Sequence, residues 1–181
     1  MPMTLTVEEE RDVDAGLDQE IRKGLCTCFP ADAGVFSQTR AWHGSASAWC
    51  VMLRDGEELV AHAGLTDRRI TIGGSPAHVA GVQNVFVLPS RRGQGLCDMV
   101  MNRAMTEALG RGYDYGLLFC VPQLEKVYAR CGWIGLGVRD VIRVDETGAE
   151  LPIPGKNIAM FHPLKVLKFP AGTVHLQGND W

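Results

Sequence analysis

The 181-residue sequence predicts a single α+β domain, a mixed and mostly antiparallel sheet flanked by helices. Three observations predict it. Residues 48–88 hold three strand-like runs joined by the tight-turn pairs Asp55-Gly56 and Gly73-Gly74, the pattern of an antiparallel meander. A helix-spaced segment then leads to the compact apolar run Tyr115–Cys120, and a strand reached through a helix favours parallel pairing. No repeat or low-complexity tract divides the chain, so residues 1–181 read as one domain.

Taken in order, residues 1–12 read as an edge strand or a frayed start, with β preference in Thr4 to Val7. Val13 to Cys28 is a helix: Leu17, Ile21, Leu25 and Cys28 share a face, Asp12 or Asp14 caps it, and Phe29-Pro30 closes it. Residues 31–47 are small and polar, with a short helix expected around Ser37 to His43 and an aromatic lining of Phe36 and Trp42. The meander strands are Ala48 to Arg54, Glu58 to Ile72 with a bulge candidate at Gly64, and Ser75 to Leu88. Pro89 cannot donate to a ladder, so pairing ends there. Gly93 to Leu109 is a helix, with Leu96, Met99, Val100, Ala104 and Ala108 at helical spacing and Gly110 and Gly112 as its stop. Tyr115 to Cys120 is expected to lie parallel beside Val82 to Leu88. Pro122 opens a helix that carries Leu124, Val127, Tyr128 and Cys131 on one face and ends at Gly132. Trp133 to Val144 returns as a strand, a turn-rich link follows, Asn157 to His162 is the last strand, and the tail from Phe169 to Trp181 is irregular.

The chemistry begins where the third strand gives way to the helix. Val85 to Leu88 is an apolar run, and Ser90-Arg91-Arg92-Gly93-Gln94-Gly95 is a basic, glycine-rich turn. A helix start offers unpaired backbone N–H groups and the positive end of a dipole. Glycines let an anion approach the backbone, and Arg91 and Arg92 add positive charge.

The spacing Arg92-x-x-Gly95-x-Cys97 resembles the acetyl-CoA loop of the GCN5-related N-acetyltransferases, which reads Gln/Arg-x-x-Gly-x-Gly/Ala after a strand and a helix breaker. Downstream, Tyr128-x-x-x-Gly132-Trp133 resembles the same family's tyrosine element. The resemblance implies a sheet whose central strands splay at a bulge near Gln83-Asn84, and acetyl-CoA as acyl donor. Its binding residues would be Val85, Phe86, Val87, Arg92, Gly93, Gln94, Gly95, Leu96 and Cys97. It implies Tyr128 as the acid for the leaving thiolate, and backbone N–H groups near Phe86 or Val87 as oxyanion donors.

A narrower resemblance is to aminoglycoside 2′-N-acetyltransferases, through Leu59-Val60-Ala61-His62-Ala63, Arg92-Gly93-Gln94, Tyr128-Ala129-x-x-Gly132-Trp133 and the final Trp181. Where those enzymes place an acidic base, this chain has Gln83, an amide that accepts no proton near neutral pH. The tail Phe169-Pro170-Ala171-Gly172-Thr173, with Gly178-Asn179, resembles the tail of nodulation-factor N-acyltransferases. Both relatives act on amino-sugar nitrogens, so the expected partner is a small-molecule amine acceptor, met by Gln83, Asp32, Asp180 and Trp181. His62 and His78 are alternative bases, and Arg40 thins the negative charge of the acceptor segment. A ping-pong nucleophile at Cys97 or Cys120 lacks a histidine nearby in sequence. The rival reading is a CoA-binding module without turnover.

Net charge of −3 argues against a nucleic-acid partner, which calls for a basic surplus. No apolar run reaches the length of a membrane span, and the acidic start lacks a signal-peptide layout, so the cytoplasm is the expected compartment. The six cysteines lack C-x-x-C spacing and read as structural thiols, with no metal site expected. No Gly-x-x-x-x-Gly-Lys-Ser/Thr loop occurs, which disfavours a nucleotide triphosphatase. The sequence leaves a homodimer open.

Overall fold

A computed structural model describes residues 2–181. The meander forms first in the chain: β1 (Met3–Glu9) pairs antiparallel with β2 (Trp49–Asp55), β2 with β3 (Glu58–Ile72), and β3 with β4 (Ser75–Val87). The fourth partner is β5 (Tyr115–Cys120), parallel to β4 and antiparallel to β9 (Ile158–Pro163). Short strands β6 (Ile134–Gly135), β7 (Val141–Val144), β8 (Glu150–Pro152) and β10 (Val174–His175) complete one mixed sheet.

Helices cover both faces. Alternation along β2 sends Trp49, Val51 and Leu53 into a core with α3 (Leu96–Gly110), and Cys50 and Met52 into one with α1 (Ala15–Cys28). Asp14 caps α1, its side chain accepting from the Leu17 N–H at 2.8 Å. Ile21 and Leu25 of α1 are fully buried, each contributing about 1.5–3 kcal/mol by leaving water. A third cluster, with Tyr115, Leu117, Phe161, Phe169 and Trp181, fills the far end of the sheet.

Several expectations are corrected. The short helix of the 31–47 segment is α2 (Ala33–Phe36), upstream of Ser37 to His43. The parallel ladder joins β5 to Val79–Val82, so the chain from Gln83 onward has left it. Trp133 to Val144 is broken into β6 and β7, because Gly137 adopts φ +68° between them. Strands β8 and β10 lie in stretches that read as irregular; they are three and two residues long, too short for a period to emerge. Among the described residues, no helix is long and apolar enough to cross a membrane.

The break in the sheet is the feature that positions the site. The β4–β5 ladder stops at Val82 and Leu118. The β3–β4 register shifts between His62 and Gly64, and Asn84 adopts a left-handed φ of +55°. An αL asparagine is strained unless held, and here its side chain donates to the Arg40 carbonyl at 2.6 Å while its own carbonyl meets His62 Nδ1 at 2.8 Å. The expected bulge at Gln83-Asn84 is therefore present, and β4 and β5 diverge beyond it.

Candidate active site

Two cavities meet at the divergence. One, of about 640 Å³, is lined by Val85, Phe86, Val87, Arg92, Gly93, Gly95, Leu96 and Cys97, with Cys28 from α1 and Val127 and Tyr128 from α4 (Glu125–Ala129). The other, of about 380 Å³, is lined by Asp32, Phe36, Trp42, Gln83, Asn84, Phe119, Lys156 and Trp181. Phe29, Val85, Leu124 and Tyr128 line both. The larger cavity holds eight of the nine residues expected to contact the acyl donor, Gln94 being the exception. The smaller one gathers Gln83, Asp32 and Trp181, which sequence separation keeps far apart.

The larger cavity fits a diphosphate. Gly95 caps α3 in the left-handed region at φ +75°, and no side chain caps the helix. The first intrahelical bond is Met99 N–H to the Gly95 carbonyl, which leaves the amides before it to an incoming anion. A Cβ at Gly93 or Gly95 would meet nothing within 4 Å, so the glycines keep an open cradle. Arg92 supplies charge, its Nε donating to the Val87 carbonyl at 3.3 Å. Arg91 does not share this role fully: it is paired with Asp55 and Glu58 at 2.9 Å each, tying the loop to the β2–β3 turn.

Strand alternation assigns the backbone donors. Leu88 N–H bonds to Val60 of β3, so Val87, one residue back, turns its peptide groups to the open side. Its carbonyl accordingly meets Arg92 and the Cys28 thiol, not β3. Both stay in register with β3, Val87 opposite Ala61 and Phe86 opposite His62, but alternation turns the peptide groups of Phe86 toward β3, and its ring is buried against α1. Of the two expected oxyanion donors, Val87 has the right aspect.

Tyr128 sits at the junction of the cavities, largely buried, its ring edge-on to Trp133 with 6.4 Å between centroids. Burial, reinforced by the neighbouring thiols of Cys97, Cys120 and Cys131, pushes the phenol well above its ordinary value. The phenol therefore keeps its proton. Burial also pushes the Cys97 thiol up and that of Cys120 to about 11, which removes both as ready nucleophiles.

The remaining candidates divide. Gln83 is buried and pinned, its Nε2 donating to the Ser45 carbonyl at 2.8 Å and to Ser47 Oγ at 3.3 Å. Asp180 is turned inward to His43 at 2.8 Å and Arg143 at 3.4 Å, so its carboxylate is satisfied away from the cavity. Arg40 is neutralised by Glu10 and Asp18 and fixes the acceptor segment to β1 and α1. His62 is fully buried with its pKa lowered to about 4 by desolvation, and His78 is engaged with Asp67; neither lines a cavity. Trp181 forms part of the wall, its indole N–H donating to the Leu117 carbonyl at 3.3 Å. Sequence reasoning missed Phe29, Phe119 and Lys156. Phe29 had been visible only as the residue before a helix-ending proline, and nothing local marks Lys156.

Residues 11–135 match the family described as "Acetyltransferase (GNAT) domain". The chain is 30% identical over 119 residues to the aminoglycoside 2′-N-acetyltransferase of Mycolicibacterium fortuitum, covering 65% of this chain and 60% of that protein. It is 36% identical over 61 residues to glucosamine 6-phosphate N-acetyltransferase 1 of Oryza sativa subsp. japonica, covering 34% of this chain and 37% of that protein. The chain thus spans about a third to three-fifths of these relatives. Among solved structures, the GNAT family N-acetyltransferase YhbS of Escherichia coli in complex with CoA superposes with a TM-score of 0.69 at 19% identity, over 97% of this chain and 89% of that one. A GNAT family acetyltransferase of Brucella melitensis in complex with acetyl-CoA gives 0.57 at 17% identity, over 94% of each chain. The fold, the glycine cradle and the family match agree, and the chain belongs to the GNAT acetyltransferase family.

Proposed function

We propose that the protein acetylates the primary amine of a small molecule by direct attack within a ternary complex, and that amino sugars are the acceptor class to examine first. The observation that carries this reading is the meeting of two cavities at Tyr128 and Val85, one with the glycine cradle and one without. Donor and acceptor can then be present together, which direct transfer requires. Attack forms the N–C bond and breaks the C–S bond; the amine loses a proton and the departing sulfur gains one. In this reading the Val87 N–H faces the developing oxyanion, and the Tyr128 hydroxyl donates to the sulfur. The amino-sugar class is supported by the names of the two curated relatives.

A second reading, a CoA-binding module without turnover, is favoured by one observation. The pinned amide of Gln83 stands where a carboxylate base would be useful. Free-thiol release from acetyl-CoA across a panel of amino sugars separates the two. Release with any amine supports transfer. A melting temperature raised by acetyl-CoA with no release from any amine supports the module. No shift and no release would remove both.

A further inference from the structure

Nearly every charge around the acceptor cavity is spent internally. Arg40 is held by Glu10 and Asp18, and Asp180 by His43 and Arg143. Two charges are left facing the cavity, Asp32 and Lys156, and among the described residues neither enters an ion pair. The Asp32 side chain does not cap the helix it precedes either. The two come from separate walls. Asp32 lies on the segment that carries Phe29 and Phe36; Lys156 lies in the turn entering β9, beside the strand that carries Phe119.

Between them the walls are aromatic. Phe36 stacks on Trp42 with ring centroids 5.4 Å apart, and Phe119 tilts against Trp181 at 5.2 Å. Aromatic faces favour a flat or apolar surface on the ligand. Asp32 is half-buried and Lys156 exposed at the cavity rim, so each can meet a ligand group of opposite sign, with the modest gain of a partly solvated pair.

We propose that the acceptor is an amine carrying its own anionic group on a body with one apolar face. Its amine end is received on the Asp32 side and its anion by Lys156. An amino sugar phosphate and an aromatic amino acid share this chemistry. A polycationic acceptor does not, since one carboxylate and one lysine leave its further charges unmatched. The proposal deepens the N-acetyltransferase reading and rests on it.

The test compares acceptors that differ only in the anion: glucosamine 6-phosphate against glucosamine, and phenylalanine against phenethylamine, with kanamycin as the polycation. Thiol release gives kcat/KM for each. Quenching of Trp42 and Trp181 fluorescence in the CoA-bound protein gives binding without turnover. In at least one pair the anionic member should bind about two- to fivefold tighter, the range for a partly exposed ion pair. Lys156→Ala should bring that ratio to about one. The pair that responds identifies the source of the anion. A ratio of one or below in both pairs, a ratio unmoved by Lys156→Ala, or kanamycin as the best ligand overturns the proposal. Thiol release confined to neutral or polycationic amines overturns it while leaving N-acetyltransfer intact. Tighter binding of the anionic member without release from any amine upholds the charge matching and removes turnover instead.

Discussion

The indole of Trp181 occupies the space that a side chain on Gly81 would fill. A Cβ at residue 81 would lie 2.3 Å from Trp181 Cε2 and 2.2 Å from the Thr66 hydroxyl. Gly81 sits within the four-residue parallel ladder between β4 and β5, so the backbone there has little freedom to yield. Gly81→Ala should therefore displace the tryptophan. Overpacking of this kind costs about 1–3 kcal/mol, measurable in urea melts. The KM for the acceptor should rise while that for acetyl-CoA holds, because Trp181 lines only the acceptor cavity. Equal changes in both constants would contradict that division.

Tyr128→Phe isolates the phenol. The substitution keeps the ring that packs against Trp133 and removes only the hydroxyl. Loss of a positioned acid lowers kcat by about a hundredfold or more, with little change in the melting temperature. Burial raises the phenol's pKa, so its protonated, donating form persists as pH rises past the ordinary tyrosine value. The wild-type rate should thus show no alkaline fall from this group up to about pH 10, the unperturbed tyrosine value. A fall well below that pH, absent from the phenylalanine variant, would contradict the expected direction.

Adjacent arginines should behave differently. Arg92 lines the proposed donor cavity and, among the described residues, has no acidic partner, so Arg92→Ala should raise the KM for acetyl-CoA by about tenfold, an effect that shrinks in high salt. Arg91 is tied to Asp55 and Glu58. Its replacement should mainly loosen the loop, seen as faster proteolysis between β4 and α3, with a smaller change in KM. Equal KM effects for the two would remove the distinction.

His62 couples stability to pH. Its ring is fully buried, it stacks on Phe86, and its folded-state pKa is lowered to about 4. The unfolded chain binds a proton here near the ordinary value of about 6.5, while the folded chain refuses it. Stability is therefore whole above about 6.5 and falls as pH drops toward 4, by roughly 1.4 kcal/mol per unit within that window. Urea melts between pH 7 and pH 4.5 measure the slope. His62→Asn keeps a donor for the Asn84 carbonyl and should flatten it. An unchanged slope would assign the acid sensitivity to other groups.

The residues proposed for the donor half could be grouped from sequence because they are local, and eight of the nine line one cavity. Val85 to Cys97 supplies strand, stop, turn and helix start in one run, and glycine spacing reports backbone geometry directly. Tyr128 and Gly132-Trp133 were legible for the same reason. The acceptor half was not, because its side chains are brought together by pairings spread over the whole chain. Phe29, Phe119 and Lys156 each look ordinary where they stand. Arg40 and Asp180 misled in the opposite way. Their charges were visible, but the partners that cancel them lie 30 and 137 positions away. The fold followed the same rule: long strands with marked turns were readable, and the two- and three-residue strands, held by their neighbours alone, were not.

The separation of the two cavities also bears on how such a protein can change. The cavity proposed for the acyl donor is lined mainly by one continuous run, residues 85–98, and by the nearby helix α4. The cavity proposed for the acceptor is lined from six separate stretches, around positions 29–42, 82–85, 118–121, 124–128, 156–157 and 181. Phe29, Val85, Leu124 and Tyr128 belong to both cavities, so only the other positions, such as Phe119 and Lys156, can vary without touching the donor's wall. A changed acceptor is therefore to be sought first in replacements at Phe119, Lys156 or Trp181, which leave the glycine cradle untouched.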